Sequence, residues 1–353
     1  GRELLNLCSN NYLGLAGSQE LIEVAKRALD TYGFGLSSVR FICGTQTIHK
    51  ELEKETARFL GKEDAILYSS CMAANIGFFA SFLTEEDGIL TDALNHASII
   101  DGIRLCKAER FIFKHMDLED LEKGLKQFSA KRIRCIVTDG VFSMDGDIAP
   151  LKGIVELARK YEALVVVDDS HVTGFMGPNG RGTHEECEVV ERVDVITSTY
   201  GKTLGGASGG FIAGSKEIIA LLRERSRTYL FSNNIAPVVA ATSLFAMQHI
   251  AAHPELRARL WENVRHFRAR MQEAGFTVPA SAHPIVPIMI GDAKTTQAMA
   301  RSIFKRGIYV VGFSYPVVPE GKARIRVQVS AAHTRDDLDK AMSAFVKARD
   351  ENV

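Results

Sequence analysis

The sequence predicts an α/β protein with a mostly parallel, seven-stranded sheet, helices on both of its faces and a smaller C-terminal α+β domain. Two patterns predict this class. Short β-branched runs bounded by turn residues alternate with longer stretches whose apolar residues recur at helical spacing. Such alternation is typical of crossover helices that cover both faces of a parallel sheet. After Pro237 the alternation gives way to long helical stretches, which indicates a second domain.

Seven β-branched runs are the predicted strands: 65–68, 88–91, 110–113, 133–138, 164–168, 193–197 and 210–213. Residues 118–128 and 151–161 have the spacing of amphipathic helices between strands. Beyond Pro237 we expect helices over 238–250 and around Trp261, then strands near 284–290 and 323–329. We therefore place a large domain at 19–235 and a small domain at 236–353.

Composition excludes several function classes. Forty-three basic residues balance forty-three acidic ones among 353, so no net charge favours nucleic acid or an anionic membrane. No apolar run approaches the roughly 20 residues of a membrane-spanning helix. The six cysteines are scattered without metal-ligand or redox-motif spacing, so we expect no metal site and a reducing compartment: the cytoplasm, or the mitochondrial matrix if the source is eukaryotic.

Five polar segments directly follow predicted strands, and they should meet at one edge of the sheet, where such folds bind ligands. These segments are 69–71, 92–96, 139–146, 168–171 and 199–202. Two of them carry the chemistry of pyridoxal phosphate (PLP): Lys202, in a glycine-flanked turn, and Asp168, after three valines. PLP requires an amine for its aldehyde and a carboxylate to keep its ring nitrogen protonated.

These residues also fit other motifs and structural roles. Gly201-Lys202-Thr203 is similar to the end of a phosphate-binding P-loop, but Ile196 stands where that motif needs glycine. Asp168 alone fits a helix cap or an ion pair equally well. A solitary histidine such as His171 is more often structural, but the lysine and the aspartate together favour function.

Arg324 and Arg326 lie two apart on a predicted strand and so share a face, which leaves open which of them binds a substrate carboxylate.

With these residues in view, the chain resembles the α-oxoamine synthase family of fold-type I PLP enzymes. The resemblance runs from residues 10–14 to residues 330–334, and its most specific stretches are 38–45, 92–102, 139–146, 168–171, 199–210 and 229–233. It implies the fold-type I transferase fold, PLP as cofactor and a homodimer with shared active sites. Residues 1–18 would be the remnant of an N-terminal arm that relatives carry in longer form.

The resemblance implies a role for each matching residue around the cofactor ring. Lys202 would hold the PLP aldehyde and act as the base, Asp168 would pair with the ring nitrogen, and His171 would meet the phenolic oxygen. His96 would stack on the ring, with Ser143 beside it.

It also implies residues for the cofactor phosphate and for the substrate. The phosphate would be held by the amides of Cys71 and Met72, by Thr199, and by Ser232 and Asn233 of the partner subunit. Arg326 would bind the amino acid carboxylate, and Asn10 or Asn11 would touch the substrate.

The implied activity is a Claisen-type acyl transfer from acetyl-CoA to glycine, giving 2-amino-3-oxobutanoate and CoA, and its reverse in threonine breakdown. An alternative within the family is a synthase that uses another acyl-CoA, such as 8-amino-7-oxononanoate synthase. Met72 departs from the aromatic residue usual in the family, and Ala73 departs from the acidic residue usual in its acetyl-transferring members, which leaves the acyl chain open. A PLP aldolase that cleaves threonine directly and a non-catalytic regulatory subunit are further alternatives, although Lys202 argues against the latter.

Overall fold

A computed structural model of the chain describes residues 1–351. Its strands are β1 (Leu5–Asn6), β2 (Asp64–Tyr68), β3 (Gly88–Asp92), β4 (Glu109–Phe113), β5 (Arg134–Asp139), β6 (Leu164–Asp168), β7 (Val195–Thr199), β8 (Gly210–Gly214), β9 (Ile285–Gly291), β10 (Ile308–Tyr309), β11 (Val311–Phe313) and β12 (Ala323–Gln328). Its helices are α1 (Gln19–Tyr32), α2 (Thr47–Leu60), α3 (Cys71–Phe82), α4 (Ala97–Arg104), α5 (Leu118–Gln127), α6 (Leu151–Lys160), α7 (Thr183–Glu186), α8 (Lys216–Arg225), α9 (Arg227–Leu230), α10 (Pro237–Ala252), α11 (Pro254–Glu273), α12 (Ala293–Lys305) and α13 (Arg335–Asp350). Within residues 1–351, no helix is both long enough and apolar enough to cross a bilayer.

The larger of two compact units contains residues 15–142 and 148–252 and is built on a seven-stranded sheet. The strand order is β2-β8-β7-β6-β5-β3-β4. Strands β3 to β7 pair in parallel, and β8 runs antiparallel to both of its neighbours. Because only β8 is reversed, the other six strands end at the same edge of the sheet. The predicted mostly parallel α/β architecture is therefore confirmed.

The predicted strands of this sheet all exist, with ends that differ by at most two residues. The run Leu164–Asp168 is a strand with the predicted ends, whereas Val195–Thr199 begins and ends two residues later than predicted. Val165, Val166 and Val167 are almost fully buried, as expected for a central strand covered on both faces. β-branched runs thus located the strands because burial on both faces leaves little room for polar residues.

The helices of the larger unit begin where side chains cap their first amides. Ser18, Ser70, Asp117 and Ser215 each accept a hydrogen bond from the backbone N–H three residues later. These bonds satisfy donors that the helix itself leaves open. Helix α3 has an almost entirely apolar sequence, and it packs in the core between the sheet and α4.

The smaller unit contains residues 1–14, 143–147 and 253–353 as divided by compactness. It has an antiparallel sheet of order β11-β12-β9, a parallel pair β1-β10, and helices α11 to α13. Helix α10 belongs to the larger unit, because it packs against α1 and α2. The domain boundaries near residues 18 and 235 stay a prediction of the sequence.

A buried ion pair fastens α2 to the larger unit. Arg40 donates to Glu53 Oε1 at 2.8 Å, and both side chains are 2% exposed. Arg223 reaches the other carboxylate oxygen at 3.2 Å, and Lys50 also pairs with it. Burial acts to raise the pKa of Glu53, but the charges of Arg40 and Lys50 and their hydrogen bonds outweigh it, so this pKa lies below its usual value.

We expect Glu53→Gln to lower the free energy of unfolding by about 3–5 kcal/mol at pH 7, because it leaves the Arg40 guanidinium buried without a counter-charge. The folded-state pKa is lowered, so this stabilisation is complete above the unfolded pKa of about 4.3 and is lost as the pH falls through the folded value. Urea unfolding at pH 7 and pH 3 measures both effects. Glu51→Gln, at an exposed position of the same helix, is the control. An equal loss in both variants would contradict the account.

Candidate active site

The site lies at the edge of the larger sheet where the parallel strands end. Five of the six strands that end there finish at Tyr68 (β2), Asp92 (β3), Asp139 (β5), Asp168 (β6) and Thr199 (β7), and β4 finishes at Phe113. Three of these five are carboxylates, and Asp139 and Asp168 are neighbours in register. The polar segments predicted to follow the strands therefore begin along one edge.

Asp168 is a buried carboxylate whose two oxygens are both held. The residue is 5% exposed. Oδ1 accepts the backbone N–H of Ser170 at 3.0 Å, and Oδ2 accepts the side-chain amide of Asn75 at 2.7 Å. The thiol of Cys71 lies 3.6 Å from Oδ2 and accepts a hydrogen bond from the Ser170 hydroxyl at 3.3 Å. The carboxylate is thus oriented, and no lysine or arginine neutralises it through these bonds, so a bound cation suits it.

The N-terminus of α3 lies beside this carboxylate. Ser70 caps the helix by accepting from Ala73 N at 3.1 Å, and the first helical bond runs from Ala74 N to Ser70 O. The amides of Cys71 and Met72 precede that bond, which makes them suitable donors to an anion. The approach depends on Gly210 of β8, where a Cβ atom would lie 2.3 Å from Cys71 N.

Lys202 lies in a loop that its neighbours hold to the strand ends. Tyr200 N donates to Gly209 O, and Gly206 N donates to Tyr200 O, both at 3.1 Å. Thr199 Oγ1 donates to Gly209 O at 2.8 Å and accepts from the backbone N–H of residue 201 at 2.9 Å. Burial raises the pKa values of Cys71 and Asp139 and lowers that of His96, and the charge of Lys202 acts to lower all three, so the lysine belongs to the same site.

His171 lies in the turn that follows Asp168, and the next aspartate anchors that turn. Asp169 is fully buried and accepts the backbone N–H of Thr183 at 2.9 Å. Gly140 and Gly182 make room for it, since a Cβ atom at either would lie within 2.2 Å of its carboxylate oxygens. Asp169 therefore has a structural role: it positions the turn that carries His171.

His96 begins α4 at the same edge. Its backbone N–H donates to Asp139 Oδ2 at 2.8 Å. Desolvation lowers the pKa of His96, and Lys202 adds to that effect while Asp168 opposes it. Burial, reinforced by the charge of Asp168, raises the pKa of Asp139 well above its usual value.

The predicted substrate residues lie in the smaller unit, where Arg324 and Arg326 differ. Arg324 forms an ion pair with Asp145 and is 3% exposed, so its charge is already compensated. Arg326 donates to Ser143 O at 2.8 Å, lies 4.8 Å above the ring of Phe313, and has a buried Nε without a hydrogen-bond partner among residues 1–351. Of the two, Arg326 is the one suited to an incoming carboxylate.

The remaining predicted residues have contacts of their own. In the smaller unit, Asn10 Oδ1 accepts from the Tyr12 hydroxyl at 3.5 Å, and Asn11 O accepts from the Ser330 hydroxyl at 2.6 Å. In the larger unit, Asn233 forms an isolated bridge with Val39, and Ser232 precedes it in a segment outside the sheet edge. Their predicted roles stay predictions.

This arrangement fits PLP. An oriented, buried carboxylate suits a protonated ring nitrogen, and the amides of Cys71 and Met72 at the N-terminus of α3 suit a phosphate. A lysine is present in the same group of residues. Among residues 1–351, no group of three or more His, Cys, Asp or Glu side chains is arranged to hold a metal ion.

Three residues of the site were not found from the sequence: Asn75, Ser98 and Ser170. Asn75 and Ser98 hydrogen-bond each other at 2.9 Å, and both lie in the first two turns of their helices. The spacing of four residues between Cys71 and Asn75, which places them on one helix face, was the available signal.

Comparison with known proteins agrees with the fold. The profile of the family "Aminotransferase class I and II" matches residues 2–345. The 2-amino-3-ketobutyrate coenzyme A ligase of Escherichia coli K12 is 57% identical over 98% of this chain and 88% of its own length. The mitochondrial 2-amino-3-ketobutyrate coenzyme A ligase of Homo sapiens is 53% identical over 98% of this chain and 82% of its own.

Two further relatives extend the comparison. The 8-amino-7-oxononanoate synthase of Petrotoga mobilis is 47% identical over 98% of this chain and 88% of its own. A serine palmitoyltransferase from S. paucimobilis, solved with a bound PLP–myriocin aldimine, superposes with a TM-score of 0.96 at 31% identity, covering 99% of this chain and 88% of that one. These matches confirm the resemblance to the α-oxoamine synthases, and the chain belongs to the aminotransferase class I and II family.

Proposed function

We propose that this chain catalyses PLP-dependent acyl transfer from acetyl-CoA to glycine, giving 2-amino-3-oxobutanoate and CoA, together with the reverse reaction. The observation that carries the proposal is the oriented, buried carboxylate of Asp168 in the same group of residues as Lys202. The reaction itself comes from the relatives, whose names specify 2-amino-3-ketobutyrate and coenzyme A over almost the whole chain.

Each residue then has a defined task. Bound PLP supplies an electron-withdrawing ring that makes a Cα–H bond of the amino acid acidic. Asp168 keeps the ring nitrogen protonated, and Lys202 holds the aldehyde and afterwards removes the proton from glycine Cα. The amides of Cys71 and Met72 bind the phosphate, and Thr199 joins them when its hydroxyl releases Gly209 O.

The substrate is oriented by other residues of the chain. Arg326 binds the glycine carboxylate, since its buried Nε still needs an acceptor. His171 meets the phenolic oxygen and, as the thioester is attacked, donates a hydrogen bond to the developing oxyanion. His96 stacks against the cofactor, with Ser143 beside it, and Asn10 or Asn11 contacts the substrate.

The second candidate is synthesis of 8-amino-7-oxononanoate or a related product from a longer acyl-CoA. Ala73 favours it, because it departs from the acetyl-transferring pattern, and Met72, which replaces the aromatic residue usual in the family, is 46% exposed beside the α3 amides. A relative named for that synthase reaction is 47% identical to this chain. The two candidates use the same lysine and carboxylate, and they differ in the thioester and in the amino acid, which is alanine for 8-amino-7-oxononanoate.

The compartment and the assembly are parts of the same proposal. All six cysteines are free thiols, which suits a reducing compartment, either the cytoplasm or the mitochondrial matrix. An apolar patch of Phe41, Ile42 and Phe231 is 59–70% exposed, with the rings of Phe41 and Phe231 6.3 Å apart. An exposed apolar cluster of this kind suits a second copy of the chain. Phe231 of this patch directly precedes Ser232 and Asn233, which would then reach the partner's cofactor phosphate.

We expect purified protein to show the visible absorbance of lysine-bound PLP and to release CoA from acetyl-CoA only when glycine is present. Lys202→Ala should lose both properties together, because one amine holds the aldehyde and moves the proton. A CoA-release assay with acetyl-CoA and pimeloyl-CoA, each with glycine and with alanine, measures this and separates the two candidates. Full turnover by Lys202→Ala would refute the lysine's role, and faster turnover with pimeloyl-CoA and alanine would favour the second candidate.

We expect the chain to sediment as a dimer at micromolar concentration, and Phe231→Asp to shift it toward the monomer, because a charge in the apolar patch would be desolvated in the interface. Sedimentation velocity measures the shift. Ile112→Asp, at a comparably exposed position on β4, is the control and should stay dimeric. A monomeric native chain, or a dimeric Phe231→Asp variant, would contradict the proposed assembly.

A further inference from the structure

A chain of hydrogen bonds connects Asp168 to His96 through two residues that have no role so far. Asn75 Nδ2 donates to Asp168 Oδ2 at 2.7 Å and to Ser98 Oγ at 2.9 Å. Ser98 Oγ in turn lies 2.8 Å from His96 Nδ1. Asn75 is 1% exposed and Ser98 is 2% exposed, so both are shielded from solvent.

The chemistry of these groups fixes the direction of every bond. An ionised carboxylate only accepts, so the group of Asn75 that faces Asp168 must be its NH₂. That NH₂ has two hydrogens, and the second points to Ser98, whose oxygen accepts it. The Ser98 hydroxyl hydrogen remains available for His96 Nδ1.

His96 Nδ1 receives a second donor from the backbone. The N–H of Ser98 points to the same nitrogen at 3.2 Å. A nitrogen that accepts two hydrogen bonds carries no proton, so the neutral ring holds its hydrogen on Nε2. The negative charge of Asp168 thus orients the Asn75 amide, and that amide orients the Ser98 hydroxyl. The hydroxyl in turn favours one tautomer of His96.

The backbone places these residues in register. Helices α3 and α4 approach closely at Gly102, where a Cβ atom would lie 3.0 Å from Asn75 O. Glycine at this position lets Ser98, one turn earlier on α4, come within hydrogen-bond distance of Asn75. The connection is therefore part of the packing of the two helices that begin at the sheet edge.

From this geometry we propose that Asn75 is a positioning residue, which orients the Asp168 carboxylate and, through Ser98, holds His96 in its Nε2-protonated form. The functional part rests on the proposed PLP site, since Asp168 and His96 act there on the cofactor. The tautomer part concerns the protein alone. Asn75 touches neither cofactor nor substrate in this account and acts only through its two neighbours.

Two variants interrupt the chain at different points. Asn75→Ala removes the bond to Asp168 and should weaken PLP binding by about tenfold to a hundredfold, because a hydrogen bond to a charged group is lost. Ser98→Ala leaves that bond intact, so PLP affinity should stay within about threefold, since only a bond between neutral groups is lost. Its effect should appear at His96, where Nδ1 loses the hydroxyl donor.

Two measurements on the full chain follow these effects. Fluorescence titration gives the PLP affinity. The ¹⁵N shifts of labelled histidine, recorded with and without PLP, identify which nitrogen of His96 is protonated. We expect Nε2 protonation in the native chain and a shift of the Nδ1 resonance toward that of a ring exchanging between tautomers in Ser98→Ala.

Asn263→Ala is the matched control. Asn263 is also a buried amide whose Nδ2 donates twice, to Ser330 O at 3.0 Å and to His333 O at 2.8 Å. Its loss should lower the melting temperature without changing PLP affinity or the His96 shifts. If Asn75→Ala does not fold, Asn75→Asp replaces the donor by an acceptor of the same shape and should weaken PLP binding at least as much.

Native PLP affinity in the Asn75 variants would overturn the positioning role, even with a lower melting temperature. Protonation of Nδ1 in native His96 would overturn the tautomer assignment. If the native chain does not bind PLP at all, the proposed function fails, whereas the histidine spectrum of the PLP-free chain still decides the tautomer. The two failures are therefore distinguishable.

Discussion

The buried carboxylate of Asp168 is the constraint on which the rest of the site depends. A negative charge at the end of a central strand is costly unless it is solvated by the protein, and here Asn75 and the backbone of Ser170 supply the hydrogen bonds. These bonds fix its direction without neutralising it. The protein therefore keeps one charge available at the sheet edge for a cation that arrives with the cofactor.

The strand ends around Asp168 explain how the other residues of the site come close to its charge. Because six of the seven strands end at one edge, the segments after β2, β3, β5, β6 and β7 begin side by side. Glycines at positions 102, 140, 182 and 210 remove the Cβ atoms that would separate these segments from one another. Close backbone approach at glycines 102 and 210, and room for the Asp169 carboxylate at glycines 140 and 182, bring the α3 amides and the aspartates into one group.

The parts predictable from the sequence are those set by local pattern. β-branched runs located the seven strands, and strand ends located the polar segments, since both follow from burial and chain direction. Lys202 and Asp168 were identifiable because few cofactors need that pair of residue types. In contrast, Asn75 and Ser98 could not be identified, because the spacing from Cys71 to Asn75 shows only a shared helix face, and the role of each residue appears only when its partner on another helix is known.

Other features depend on contacts between residues that are distant in the sequence. The two arginines of β12 are equivalent in the sequence, and only the ion pair of Arg324 with Asp145 separates them. Helix α10 begins where the alternating pattern ends, yet it packs within the larger unit because α1 and α2 provide its partner surfaces. The residues assigned to the phosphate and to the partner subunit stay predictions, since they depend on groups that bind to this chain.

The most direct test of the central role of Asp168 is hydrogen exchange at glycine Cα in D₂O, without acyl-CoA. At saturating PLP, verified by absorbance, the native chain should exchange the glycine α-hydrogen, and Asp168→Ala should exchange it at least about a hundredfold more slowly. Omitting the thioester isolates the proton step from the acyl transfer. Exchange in Asp168→Ala within about twofold of the native rate would contradict the account, because the electron-withdrawing ring would then work without its carboxylate.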